Sequence, residues 1–293
     1  AYARHAWAVA TSTASSSATD GVAVVEAIAQ RPGDRYRFPR ALLELDLGGV
    51  AMAHGDRTTA RTRFERARRS AAGLTEGASE LTAVDVNLLL VVDDPALHAR
   101  IGAELIATRT RLLGAHHPLT LAARRFVANL ELDPHVAGRA LAAACRDLAD
   151  YHPTLTTERA ECGYDLWWLA IGSGDAALAT QASQVVLGAK ADGDDPKFRT
   201  IVRAYEEAIH GDLAAARATL AAPELAFDPS APWWVQLYTT DALAVGLVTV
   251  RGEPAQADAQ LAEVERRYAA VASSLPSSIR TRRAAAIAKL RGR

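Results

Sequence analysis

The stretch whose spacing comes nearest to a chemical signature is Gly172-Ser173-Gly174-Asp175-Ala176-Ala177. It fits the G-x-G-x-x-A turn that wraps a dinucleotide pyrophosphate, and Asp192, Asp194 and Asp195 follow about 20 residues on, where a ribose-binding acid would lie. Such a turn needs a strand before its first glycine and parallel strands elsewhere. Tyr164 to Ile171 reads as helix, and no other segment reads as a strand, so a helical turn is the expectation here.

No further constellation of catalytic residues stands out. H-E-x-x-H, G-x-S-x-G and G-x-x-x-x-G-K-[ST] are all missing, and neither Cys145 nor Cys162 has an obvious histidine partner in sequence. The chain is expected not to be an enzyme, and no cofactor is implied. Both cysteines fall inside predicted helices, outside any C-x-x-C pair, and are expected to be reduced, packed thiols. His117 and His152 each precede a proline and read as linker residues rather than metal ligands, since no further ligands follow at suitable spacing.

Three groups of side chains point to binding. Arg61, Arg63, Arg66, Arg68 and Arg69, interrupted by Glu65, form a basic cluster that reads as a solvated helix face or, less simply, as a nucleic-acid patch. Arg125 and Asn129 are four apart on a helix after Pro118 and could clamp a peptide carboxylate or backbone. Tyr164 and Trp168 are aromatic anchors of the kind that dominate interfaces, while Trp167, and equally Trp168, also reads as a side chain packed between hairpins. Trp233 and Trp234 follow Pro229 and Pro232 and read as a hydrophobic lid or the packed start of a helix.

The elements that position these groups are amphipathic helices in pairs. Ala41 to Leu74 reads as two short helices joined by Gly55-Asp56, the glycine ending the first and the aspartate capping the second. Turn-like pairs recur at Gly55-Asp56, Asp94-Pro95, Asp133-Pro134, Gly174-Asp175, Gly211-Asp212 and Gly252-Glu253, their acidic residues spaced by 38, 39, 42, 37 and 41. After the four glycine turns a small residue stands four beyond the acid: Ala60, Ala179, Ala216 and Ala257. A sustained period of this length implies hairpins that bury their apolar faces on one another in a row.

These residues resemble the tetratricopeptide (TPR) repeat. Counting from Ala41, positions 7, 8, 20, 24 and 27 are Leu47, Gly48, Ala60, Phe64 and Ala67, while Glu44 and Ala72 replace the aromatic and the proline of positions 4 and 32. Leu113 to Leu121 resembles the L-G-x-x-H-P-x-T-L junction of the longer variant found in kinesin light chains and bacterial signalling proteins, and His152 to Thr156 repeats part of it. The resemblance implies an all-α fold, an α-α superhelix of about six or seven hairpins. It also implies a concave groove lined by the first helix of each pair. Carried over by position, the groove would hold Glu161, Tyr164, Trp168 and Ile171, then Ile201 and Tyr205. With Arg125 and Asn129 these make the candidate peptide-binding set, expected to be exposed.

Composition agrees with helices. Aromatics are 6% of the 293 residues, and alanine, leucine and arginine dominate. A formal net charge of −1 excludes a field of one sign that would draw nucleic acid or membrane to the whole chain. Lys190, Lys197 and Lys289 are the only lysines, which looks like codon bias in a GC-rich bacterial genome. The longest apolar run, Ala242 to Val250, falls well short of the roughly 20 residues that cross a bilayer, and cytoplasmic placement is expected. The chain begins at Ala1 without a charged-then-apolar signal pattern, which suggests a fragment of a larger protein.

The expected organisation is an N-terminal hairpin over 1–40, a repeat array over 41–265 and a basic C-terminal capping helix over 266–293. The tail carries Arg266, Arg267, Arg280, Arg282, Arg283, Lys289, Arg291 and Arg293 with no acid, so an outer cap or an acidic partner surface is its natural use. The function implied is a scaffold whose concave groove binds a protein, a peptide or another domain of its own polypeptide, in the regulatory region of a larger bacterial signalling protein. The alternative is a sensor in which a small molecule or short peptide enters the groove and controls an attached kinase or transcription regulator.

Overall fold

The structure is a computed structural model, and it describes residues 33–74, 78–188 and 197–292 together with Ala27. The N-terminal hairpin expected over 1–40 lies for the most part outside these residues, as do Asp192, Asp194 and Asp195. Among the described residues the regular elements are all helical. The α-helices are α1 (Arg37–Ala53), α2 (Arg57–Ala71), α3 (Ala78–Val91), α4 (Pro95–Leu113), α5 (Pro118–Asn129), α6 (Pro134–Tyr151) and α7 (Thr156–Ser173). Then follow α8 (Ala176–Gly188), α9 (Lys197–Ile209), α10 (Leu213–Leu220), α11 (Trp233–Gly246), α12 (Pro254–Val271) and α13 (Ser277–Gly292).

The helices start where the sequence places their caps. Asp56, Asp175 and Asp212 each accept a hydrogen bond from the backbone N–H three residues on, at 3.0, 2.9 and 2.9 Å. Asp94 and Asp133 each accept two such bonds, with proline next in line at the first helical position, where no intrahelical partner is lost. His117 Nδ1 accepts from the Leu119 amide and Pro118 opens α5, so the histidine is a cap residue, while His116 stacks on Tyr151. Glu253 makes no capping bond and pairs with Arg217 instead. Trp233 opens α11 and packs toward Leu237, Val271 and Leu275, which settles the Trp233-Trp234 pair as a helix start.

The chain divides into two compact units, 1–115 and 116–293. In the first, α1 packs on α2, α2 on α3 and α3 on α4. Gly48 faces Phe64 so closely that a Cβ there would lie 2.3 Å from the ring, and Ala60, Phe64 and Ala67 are fully buried. The arginine cluster of α2 is matched by acids: Arg61 pairs with Glu65, Arg63 with Glu44, and Arg68 with both Asp85 and Glu104. That pairing is what a solvated, ion-paired face requires.

In the second unit α5 pairs with α6, α7 with α8, α9 with α10 and α11 with α12, and the first helices also touch in sequence, α5 to α7 to α9 to α11. Ala179 and Ala216 are buried at the pair interfaces, whereas Ala257 is only half-buried. The C-terminal half of α7, from Leu166 to Ile171, is apolar on every side. Tyr164, Trp167, Trp168, Ala170 and Ile171 all expose 2% or less, as expected of a helix surrounded by neighbours.

Two expectations are corrected here. Cys145 and Cys162 are not free thiols: packing of α6 on α7 brings their Cα atoms to 5.6 Å, within disulfide range, and the sulfurs are bonded. The basic tail over 266–293 is not a single helix either, since its first residues belong to α12. After Pro276 the chain leaves α12, and α13 packs chiefly on α7, with further contacts to α11 and the turn after it.

Candidate functional site

The first-helix face of the second unit gathers five of the six residues expected to bind peptide. Arg125 and Asn129 come from α5, and Glu161, Tyr164 and Trp168 from α7. Arg125 donates to Glu161 at 2.7 Å and lies 3.5 Å from Asp165. The sixth, Tyr205 on α9, sits edge-on to Trp167 with ring centroids 5.1 Å apart. Ile171 and Ile201 are fully buried.

The exposure expected for these positions is overturned. Tyr164, Trp168 and Tyr205 retain 2%, 1% and 3% of their surface. Over Trp168 and Tyr164 the physical reason is helix α13, which lies along α7, whereas Tyr205 packs against Trp167. Arg282 donates to the Asn129 carbonyl at 2.6 Å and to its side-chain oxygen at 3.1 Å, and also to the Glu131 carbonyl. These acceptors are the free carbonyls at the end of α5, where the helix dipole favours a cation. Arg283 donates to both oxygens of Asp241, at 3.1 and 3.0 Å, and its guanidinium stacks 4.4 Å above the Trp168 ring.

Asp241, on α11, has no exposed surface. Besides Arg283 it accepts hydrogen bonds from Tyr164, at 2.7 Å, and from Tyr268 of α12. Burial pushes its carboxyl above the ordinary range, against the downward pull of Arg283 and of the two hydroxyls. Burial also raises the nearby Asp165, which Arg125 pulls back down. Burial lowers Arg282 to about 10, with Asp165 opposing the shift. The face thus carries three carboxylates, Glu161, Asp165 and Asp241, against its own single Arg125.

Gly172 supplies the geometry. A Cβ added there would lie 3.2 Å from the Arg282 carbonyl oxygen and 3.5 Å from the Ala286 nitrogen, so its absence lets the two helix backbones touch. Gly174 takes φ +76° to end α7, and Asp175 caps α8. The G-x-G-x-x-A match is therefore a helix contact followed by a turn, with helix on both sides.

Sequence reasoning missed Asp165, Asp241 and Tyr268 and read Arg282 and Arg283 as surface charges. Four more basic residues of the tail are compensated internally. Arg266 and Arg267 pair with Glu263, Arg291 pairs with Asp258, and Arg280 bonds the carbonyls of Ala272 and Leu275.

Among the concavities of the described residues, two bear on the reading. One of about 590 Å³ lies between α12 and α13, walled by Leu261, Ala269, Leu275, Ala284 and Ile287 with Tyr268 and Arg283 alongside. The other, of about 730 Å³, lies among α2, α3 and α4 and is spanned by Arg68. Among the described residues no cluster of histidine, cysteine and acid side chains could hold a metal, and no helix is long and apolar enough to cross a membrane. Compared with protein-family models and with curated proteins, the sequence matches none.

Proposed function

We propose that this chain is a TPR-like helical-repeat scaffold whose first-helix face, in the second unit, binds a helical segment of a protein. The observation that carries the reading is the seating of α13, whose Arg282 bonds Asn129 and whose Arg283 lies over Trp168 and Tyr164, on the same two helices that carry the Arg125–Glu161 pair. A surface built from regularly spaced first helices is preformed, so a partner helix need not order it on arrival. Helix-in-groove recognition asks for an apolar floor with polar residues fixing register, and the α7 aromatics and flanking carboxylates meet that description. The regulatory region of a bacterial signalling protein remains the setting that the sequence resemblance favours. The Cys145–Cys162 disulfide favours an oxidising compartment over the reducing cytoplasm expected from the sequence.

Panning a displayed library of helices of roughly 20 residues on the full chain tests this reading. Selected helices should bind at about micromolar Kd by calorimetry and lose that affinity on an Arg125→Ala/Glu161→Ala chain. Failure to select any helix tighter than about 1 mM, or binders indifferent to the double substitution, overturns it.

The sensor reading is favoured by one observation, the largely apolar cleft of about 590 Å³ between α12 and α13. A small amphiphile there would touch Tyr268 and Arg283 and so influence how α13 sits.

A further inference from the structure

We infer that α13 is the resident occupant of the first-helix face, holding it closed, and that the partner which opens it is a helix carrying two adjacent arginines followed by aliphatic residues. The inference rests on the protein-binding reading above and names its partner class and its regulation.

Helix α13 does not behave as the second half of a hairpin. Its chain neighbour α12 is already paired with α11, and α13 docks instead on α7 and on the end of α5, where Arg282 reaches a residue 153 positions upstream. On the α12 side an open cleft is left between the two helices. What holds α13 is the face of the first helices.

That hold is narrow and chemically specific. The buried side of α13 consists of Ser278, Arg282, Arg283, Ala286, Ile287 and Leu290. Its large aliphatic side chains are few, Ile287 and Leu290 with the half-buried Ile279 against Leu237, Val271 and Leu275, so part of the attachment falls to the two arginines and to Arg251, which donates to the Leu290 carbonyl. The acceptors of Arg282 and Arg283 are the carbonyls of Asn129 and Glu131 and the carboxylate of Asp241, which would accept equally from any arginine pair in the same place. With α13 gone, Glu161, Asp165 and Asp241 face one arginine, a net negative surface that selects a basic occupant and repels an acidic one. Gly172 admits the backbone of a helix at close range.

A tethered helix competes with a free one through its effective concentration, on the order of millimolar for a short connection. The Ala272–Pro276 connection is short, so a free copy of α13 binds poorly to the intact chain. Weakening the tethered copy without touching the face should reverse that.

The probes are a fluorescein-labelled peptide of residues 277–292 and the same peptide carrying Arg282→Gln and Arg283→Gln. Each is titrated against the full chain and against the full chain carrying Arg282→Ala and Arg283→Ala. The native peptide should bind the double variant at least about tenfold more tightly than the unaltered chain, and the glutamine peptide should bind neither. Amide exchange in the double variant should be fast across 277–292 and unchanged in α7 to α12. If the double variant does not fold, Arg282→Ala alone serves with the same readouts. The inference is overturned by equal binding to both chains, by a glutamine peptide that binds as well as the native one, or by both variants losing protection throughout the unit. Library helices that bind the face without displacing α13 would refute it while leaving the protein-binding reading intact.

Discussion

Arg283 of α13 closes on the fully buried Asp241 with two hydrogen bonds, of 3.1 and 3.0 Å, across 42 residues of sequence. Removing one partner of a buried ion pair costs about 3 to 5 kcal/mol when the other stays buried. Asp241 has an escape, because release of α13 opens its site to water. Arg283→Ala should therefore lower the free energy of unfolding by less, about 1 to 3 kcal/mol. Urea denaturation measures the loss, and amide exchange should show it confined to α13.

Gly172 is the second control point on the same contact. In an ordinary helix interior, alanine in place of glycine adds roughly 0.5 to 1 kcal/mol of stability. Here the new Cβ meets the Arg282 carbonyl at 3.2 Å and pushes α13 away. Gly172→Ala should give no stabilisation in thermal unfolding and should quicken exchange in α13.

The disulfide between Cys145 and Cys162 closes a loop with a sequence separation of 17. A cross-link over a loop of this size restricts the unfolded chain by about 3 kcal/mol. Cys145→Ser/Cys162→Ser should lower the urea midpoint accordingly, and thiol titration of the unaltered denatured protein should find no free thiol until a reductant is added.

Asp46 of α1 supplies a pH dependence. Burial raises its carboxyl from 3.8 to about 6. The folded state then holds this proton more tightly than the unfolded one, so the associated stability is full below pH 3.8 and is lost as pH rises through about 6. Asp46→Asn should stabilise the protein at pH 7.5, and the gain should shrink toward zero by about pH 4. Equal gains at the two pH values in urea titrations would contradict the assignment.

The turns were legible in the sequence because a cap is local: Asp56, Asp94, Asp133, Asp175 and Asp212 each bond amides two or three residues ahead. Register placed Arg125, Asn129, Glu161, Tyr164 and Trp168 on α5 and α7, the two helices that α13 meets. It could not give what covers them, since periodicity describes one helix and not its neighbours. The signals were nonetheless present. Leu166 to Ile171 has no polar side at all, which is excessive for a helix with an open groove, and Asp241 stands just before the longest apolar run and needs a buried cation. Cys145 and Cys162 escaped because two helices must pack before their spacing means anything.

The most direct test of the account is native-state amide exchange on the unaltered chain, read helix by helix across a low-denaturant series. A detachable α13 should open with a free energy well below that of α7 and α11, and with a weaker denaturant dependence, because it leaves while the rest stays folded. Exchange of α13 only through global unfolding, at the same free energy as α7, would contradict the claim that it is a replaceable occupant.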